Sequence, residues 1–133
     1  MQQIVQMKIE QLIVQFLHKN KKVKLQSIGE FVFISESSVS SIDEYSYFFP
    51  EDSIKFSYNP KCSQDEDLIS YIMSQTGKKR PLASSDLDSY IVLSKQFLNI
   101  GKPLFLNGLG SLYKNQNNEY EFKQGEAVAI KLD

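Results

Sequence analysis

Val5, Ile9, Leu12, Ile13, Phe16 and Leu17 recur at helical spacing, with Gln6, Lys8, Glu10 and Gln11 largely opposite, and predict an amphipathic helix over 4–18. His18, Lys19, Lys21 and Lys22 close it with positive charge, which suits the carbonyl end of a helix. Val23, Leu25 and Ile28, then Phe31 and Phe33, read as strand material around Gly29, a residue that fits a bulge or a close backbone contact. Residues 35–44 are mostly serine with Glu36, Asp43 and Glu44 and predict an exposed loop. A strand resumes over 45–49 and stops at Pro50. Ile54, Phe56 and Tyr58 alternate with polar neighbours as a short strand does.

Asn59-Pro60-Lys61 is the natural boundary of this first half. Beyond it, Ser63-Gln64-Asp65-Glu66 has the form of a capping box, with acids in the first turn of a helix. Leu68, Ile69, Ile72 and Met73 supply that helix's buried face, and Gly77 is its stop. Lys78-Lys79-Arg80-Pro81 reads as the turn. Ser84 or Ser85 can cap the next helix, whose inner face would hold Leu87, Tyr90, Ile91, Ser94, Phe97 and Leu98. Gly101 ends it. Residues 104–113 and 119–122 then predict a hairpin across 115–118, and the tail from Gly125 has a strand-like end that the pattern does not assign to a sheet.

The two halves carry one template. At an offset of 110 − 29 = 81 positions, residues 23–31 lie over 104–112 without a gap and bring Gly29 onto Gly110. Leu12 falls on Leu93, Phe16 on Phe97, Leu17 on Leu98 and Lys21 on Lys102. Two copies are too few for a solenoid. The pattern predicts an α+β chain of two small units, 1–60 and 61–133, each a helix with a small antiparallel sheet, joined as an intramolecular pseudo-dimer. The first unit lacks the leading helix that the second has.

The second unit resembles the HU/IHF superfamily of bacterial DNA-architectural proteins. The likeness rests on two amphipathic helices, a lysine-containing break and the strand turn Gly108-Leu109-Gly110-Ser111-Leu112. The first unit carries the turn in reduced form, Ile28-Gly29-Glu30-Phe31, and its 48–56 stretch resembles the later part of an HU domain. The whole chain is similar to the divergent tandem-HU region of certain bacterial envelope proteins. There the region precedes a transmembrane helix and a peptidoglycan-binding SPOR domain. Residues 98–103 and 120–122 are the most family-like pieces.

The resemblance implies DNA binding through long basic arms tipped by a wedging proline. The arm position of the first unit, 35–44, has neither a basic residue nor a proline, and in the second unit the arm shrinks to the turn at 115–118. The residues for kinking DNA are absent, and a fold alone does not supply an activity.

Charge adds little pull toward nucleic acid. The net charge is −1, and Arg80 is the one arginine among fifteen basic residues. The candidate contact set for nucleic acid or an anionic surface is Lys21, Lys22, Lys24, Lys78, Lys79, Arg80 and Lys102, which solvated charge at helix ends and turns explains better. Any duplex binding should therefore be weak and sequence-independent.

Cys62 stands alone, so no intrachain disulfide forms and a reducing, cytoplasmic location is the expectation. Tethering to a membrane would need an anchor beyond this sequence. His18, the single histidine, has no Cys/His cluster around it and reads as a helix-terminal surface residue. Asp65, Glu66 and Asp67 imitate a metal trio but suit a helix start. No nucleophile–base pair or phosphate-cradling glycine loop is present, so neither an enzyme nor a cofactor, metal or small-molecule substrate is expected.

The aromatic residues Tyr45, Tyr47, Phe48, Phe49, Phe56 and Tyr58 lie among acids, unlike a base-stacking groove. Phe48 and Phe56 read as core, and Tyr45, Tyr47 and Tyr58 as candidates for protein contact. The expectation is a non-enzymatic scaffold or adaptor acting on a protein partner, with a non-bending DNA-binding module as the alternative.

Overall fold

The computed structural model describes residues 2–34 and 49–125, with side chains from residue 9 onward within those spans. The fold is α+β. Helix α1 (Gln2–Asn20) leads into strands β1 (Lys22–Leu25), β2 (Gly29–Phe33) and β3 (Ile54–Tyr58). Helices α2 (Glu66–Thr76) and α3 (Arg80–Asn99) follow, then strands β4 (Leu104–Leu106), β5 (Gly110–Lys114) and β6 (Tyr120–Gln124). The strands make two antiparallel three-stranded sheets, ordered β1-β2-β3 and β4-β5-β6.

Both ends of α2 and the start of α3 have local causes. Asp65, rather than Ser63, caps α2: its carboxylate accepts the N–H groups of Asp67 and Leu68 at 3.1 Å each. The same carboxylate accepts the Lys24 N–H at 2.9 Å, so the cap also ties α2 to the outer edge of β1. Gly77, at φ 77°, ends α2 in the left-handed conformation, as the sequence predicts. Helix α3 starts at Arg80, ahead of the serines expected to cap it, because Pro81 in its first turn has the backbone angle a helix start needs. Ser84 therefore lies inside the helix, where its hydroxyl accepts from the Gln64 side chain at 3.2 Å.

The strand material around Gly29 is two strands folded back across residues 26–28, with the Ile28 N–H on the Leu25 carbonyl at 2.9 Å. Strands β4 and β5 turn the same way, with the Leu109 N–H on the Leu106 carbonyl at 2.8 Å. Gly29 stands opposite Leu25, and Gly110 opposite Leu106. Both glycines have positive φ, 151° and 155°. A Cβ on Gly29 would run into the Ser57 carbonyl, and one on Gly110 into the Lys123 carbonyl. Close backbone approach explains both.

Strands β3 and β6 lie side by side across the seam between the sheets. Phe56 meets Phe122 at 6.5 Å and Tyr58 meets Tyr120 at 5.6 Å between ring centroids, while the Ile54 N–H reaches the Gln124 side chain at 3.1 Å. One buried apolar cluster joins Leu17, Ile28 and Phe31 to Leu98, Leu109 and Leu112, all essentially sealed from solvent. At about 1.5–3 kcal/mol for each fully buried large apolar side chain, this shared core is the main stabilising term. Phe49 is buried in irregular structure, its ring 4.8 Å from Phe33. Residues 45–48, the remainder of the expected strand there, lie outside the described residues, as do the expected loop at 35–44 and the tail beyond Gly125.

The helices set the outer surface. Helix α2 starts beside β1, just past the end of α1, and by Tyr71 it lies against Gln15 and Phe16, so it runs back along α1. The Tyr71 hydroxyl donates to Gln15 at 3.1 Å, its ring sits 5.4 Å from that of Phe16, and the Lys19 ammonium is 6.0 Å from it. Leu68, Ile69 and Ile72 of α2 are buried, as their spacing predicts. Phe97 of α3 was expected on the inner face but is 44 % exposed. Tyr90, Ile91, Ser94 and Leu98 fill that face, and Phe97 points away from it.

Candidate functional site

The candidate basic residues do not gather into one stripe. Lys78 is paired with Asp86 at 2.5 Å, and Arg80 with Glu66 at 2.9 Å and Ser70 at 2.8 Å. Lys21 sits at a positive φ of 74° with its ammonium 4.7 Å from the Phe33 ring centre, a cation–π contact. Lys79 occupies the N-cap position of α3, and Lys102 is exposed just past that helix's end.

Lys22 and Lys24 do share a surface, an open recess of about 710 Å³. Glu30, Asp65, Glu66 and Asp67 line the same recess, so acids outnumber lysines there and a phosphate would meet net negative charge. Asp65, the most buried of these acids, is fully engaged by three backbone N–H groups. The acidic trio is helix-capping machinery. Among the described residues no group of three or more His, Cys, Asp or Glu could hold a metal ion.

The two residues that most often carry chemistry are built into packing. His18 is half-buried rather than a surface residue, its ring 5.2 Å from Phe33 and 5.2 Å from Phe49. Cys62 is buried, and its thiol faces the carbonyls of Gly29 and Ser63 at 3.7 Å. Burial pushes its pKa up, only partly offset by Lys24, which is the opposite of what a nucleophile needs.

Of the contact candidates, Tyr45 and Tyr47 lie outside the described residues. Tyr58 is half-buried in the seam against Tyr120. The exposed apolar surface lies elsewhere. Leu93 and Phe97 of α3 and Ile100, its C-cap residue, are 48 %, 44 % and 69 % exposed. Their spacing of four and three residues puts them on one face, and Leu82, also exposed, is three helical turns before Leu93. Val92 and Phe105 add to the exposed apolar surface of α3 and β4.

The signal for this face was present in the sequence. Helix α3 carries a core stripe through Leu87, Ile91, Ser94 and Leu98 and a second, apolar stripe through Leu93 and Phe97 that Ile100, its C-cap residue, continues. A helix on the outside of one core needs only the first. Leu12 and Phe16, the positions 81 residues earlier than Leu93 and Phe97, are 4 % and 6 % exposed. No protein-family model matches this chain, and no curated protein or solved structure does. Among the described residues no helix is long and apolar enough to cross a membrane.

Proposed function

We propose that the chain is a non-enzymatic tandem of two HU-like units, 1–60 and 61–133, closed into an intramolecular pseudo-dimer that acts as a scaffold or adaptor through protein contact. The observation that carries the contact reading is the solvent-facing row Leu93, Phe97 and Ile100, because apolar rows of this kind on a surface helix mark interaction sites. The tandem reading is supported by the two matching glycine turns, by the 81-position register and by the antiparallel meeting of β3 and β6. By the resemblance, such a module would be the cytosolic part of an envelope-anchored protein.

The absence of basic arms and the pairing of Lys78 and Arg80 weigh against DNA as the main partner. The deciding experiment places a photo-crosslinking amino acid at Leu93 in the native cell, alongside fluorescence anisotropy with a duplex at physiological salt. The expected result is one defined protein adduct, identified by mass spectrometry and lost with Phe97→Asp, and negligible duplex binding. Tight duplex binding with a bend, and no protein adduct, would overturn the proposal in favour of a nucleic-acid module.

A further inference from the structure

The surface of α1 beneath α2 is a template for the uncovered face of α3. Tyr71 of α2 lies over Gln15, Phe16 and Lys19. Shifted by 81 positions these become Gln96, Phe97 and Ile100, all exposed, and Leu12 becomes the exposed Leu93. The deeper residue of the same stripe, Leu17 or Leu98, is sealed in both helices, so the two surfaces differ in their cover and not in their footing. With Ile100 in place of Lys19, the uncovered footprint is the more apolar of the two.

The sheet edge repeats the arrangement. In the first half, the N–H of Lys24 projects from the outer edge of β1 and receives the Asp65 carboxylate that starts α2. Phe105 holds the same register on the edge strand β4, opposite Ser111 as Lys24 is opposite Glu30, so its N–H projects in the same way. Lys102, exposed three residues before it, adds positive charge where an acidic helix start would arrive.

We infer that this face seats one amphipathic helix from a protein partner, running back along α3 as α2 runs along α1. The helix has an acidic first turn at the β4 edge, and an apolar stripe with a central aromatic residue over Leu93, Phe97 and Ile100. The inference rests on the tandem reading above and adds the kind of partner.

The closest available probe is α2 itself. A fluorescein-labelled peptide of residues 63–78, stapled across the outward-facing positions 70 and 74 to hold it helical, is titrated against the full chain. Saturable binding is expected, weakened at least tenfold by Phe97→Asp or Leu93→Asp. Both variants should keep the far-ultraviolet spectrum and melting temperature, because the replaced side chains are half exposed. Neutralising Asp65, Glu66 and Asp67 in the peptide as Asn, Gln and Asn should weaken binding several-fold.

Binding that is indifferent to Phe97→Asp would mean that the peptide displaces α2 from α1, and overturns the inference. A concentration-dependent dimer in sedimentation that Phe97→Asp dissolves would assign the face to a second copy of the chain, and also overturns it. Failure of the peptide together with a persisting cellular adduct at Leu93 sinks the helix seat while leaving the protein-contact reading intact. Peptide binding with no cellular adduct sustains the seat's chemistry and sinks that reading.

Discussion

The side-chain carboxamide of Gln124 accepts the backbone N–H of Ile54 at 3.1 Å, joining the end of one sheet to the start of the other sheet's edge strand. The same oxygen accepts the Ser53 N–H at 3.1 Å, and the amide nitrogen donates to the Pro50 carbonyl at 2.8 Å. One side chain thus contacts three backbone groups of the 50–54 segment. The Pro50 carbonyl also accepts the Ser53 N–H at 3.2 Å and the Ser53 hydroxyl, so the Ile54 N–H is the group that depends on Gln124. Replacing Gln124 with alanine should destabilise the chain by about 1–3 kcal/mol, the penalty for leaving one buried N–H, that of Ile54, unpaired. Gln124→Leu should cost about as much despite its similar size. Urea unfolding of both variants checks this, and near-neutral behaviour of the leucine variant would show that packing alone holds the seam.

Gly29 and Gly110 should be equally intolerant of a side chain. At each, a Cβ would strike the carbonyl of the neighbouring strand, and both have positive φ. Gly29→Ala and Gly110→Ala should each cost about 2 kcal/mol or more, a value in the range for strained backbone. By contrast Gly108, with nothing within 4 Å of an added Cβ, carries only the backbone penalty of its φ of 88° and should lose less. Chemical denaturation of the three variants ranks them, and Gly108→Ala proving the worst would refute the close-approach explanation.

How much of this was legible beforehand follows from what each residue competes with. The helices and β3 follow the apolar spacing, because Leu68, Ile72, Leu87 and Leu98 have one core to face. Sequence spacing does not choose between two good capping candidates that stand close together: Asp65 outcompetes Ser63 through a carboxylate that also serves Lys24, a contact 41 positions away. His18 read as a surface residue because the aromatic pair that encloses it, Phe33 and Phe49, is distant in the chain. The ion pairs that occupy Lys78 and Arg80 likewise depend on how α2 and α3 meet. The exposed row on α3 is written in the spacing as a second apolar stripe, but Phe97 lies close enough to the Leu87–Leu98 stripe that spacing alone assigns it to the core.

Cys62 should be chemically quiet in the native state. It is buried, its thiol faces two carbonyls, and desolvation raises its pKa above the usual value, which reduces the thiolate available to react. Labelling with a thiol reagent at pH 8 should proceed far more slowly than for the urea-unfolded chain, and its rate should follow local opening of the 59–65 link. Labelling as fast as that of a free thiol would place Cys62 at the surface.

Stability should fall in alkali, with Tyr90 as a principal cause. Its phenol is buried between α1 and α3, where desolvation first, and then the nearby Glu10 carboxylate, hold its pKa far above the ordinary 10.0. Glu10 itself is anchored, accepting the Asn107 N–H at 3.0 Å, so the negative charge stays close. The folded state therefore disfavours the phenolate that the unfolded chain forms freely. A group raised in this way contributes stability that is fully present below its unfolded pKa and is lost as pH rises toward the folded value. The urea midpoint should be level up to about pH 9 and decline beyond about pH 10. Tyr120, also raised by burial and by its neighbour Tyr58, adds a smaller share of the same sign. Tyr90→Phe keeps the ring and removes the titrating group. It should cost about 1 kcal/mol or less at pH 7, because its contact with Glu10 is long at 3.5 Å, and should flatten much of the alkaline decline. An unchanged decline in Tyr90→Phe would move the cause to other groups and show that the phenol is solvated.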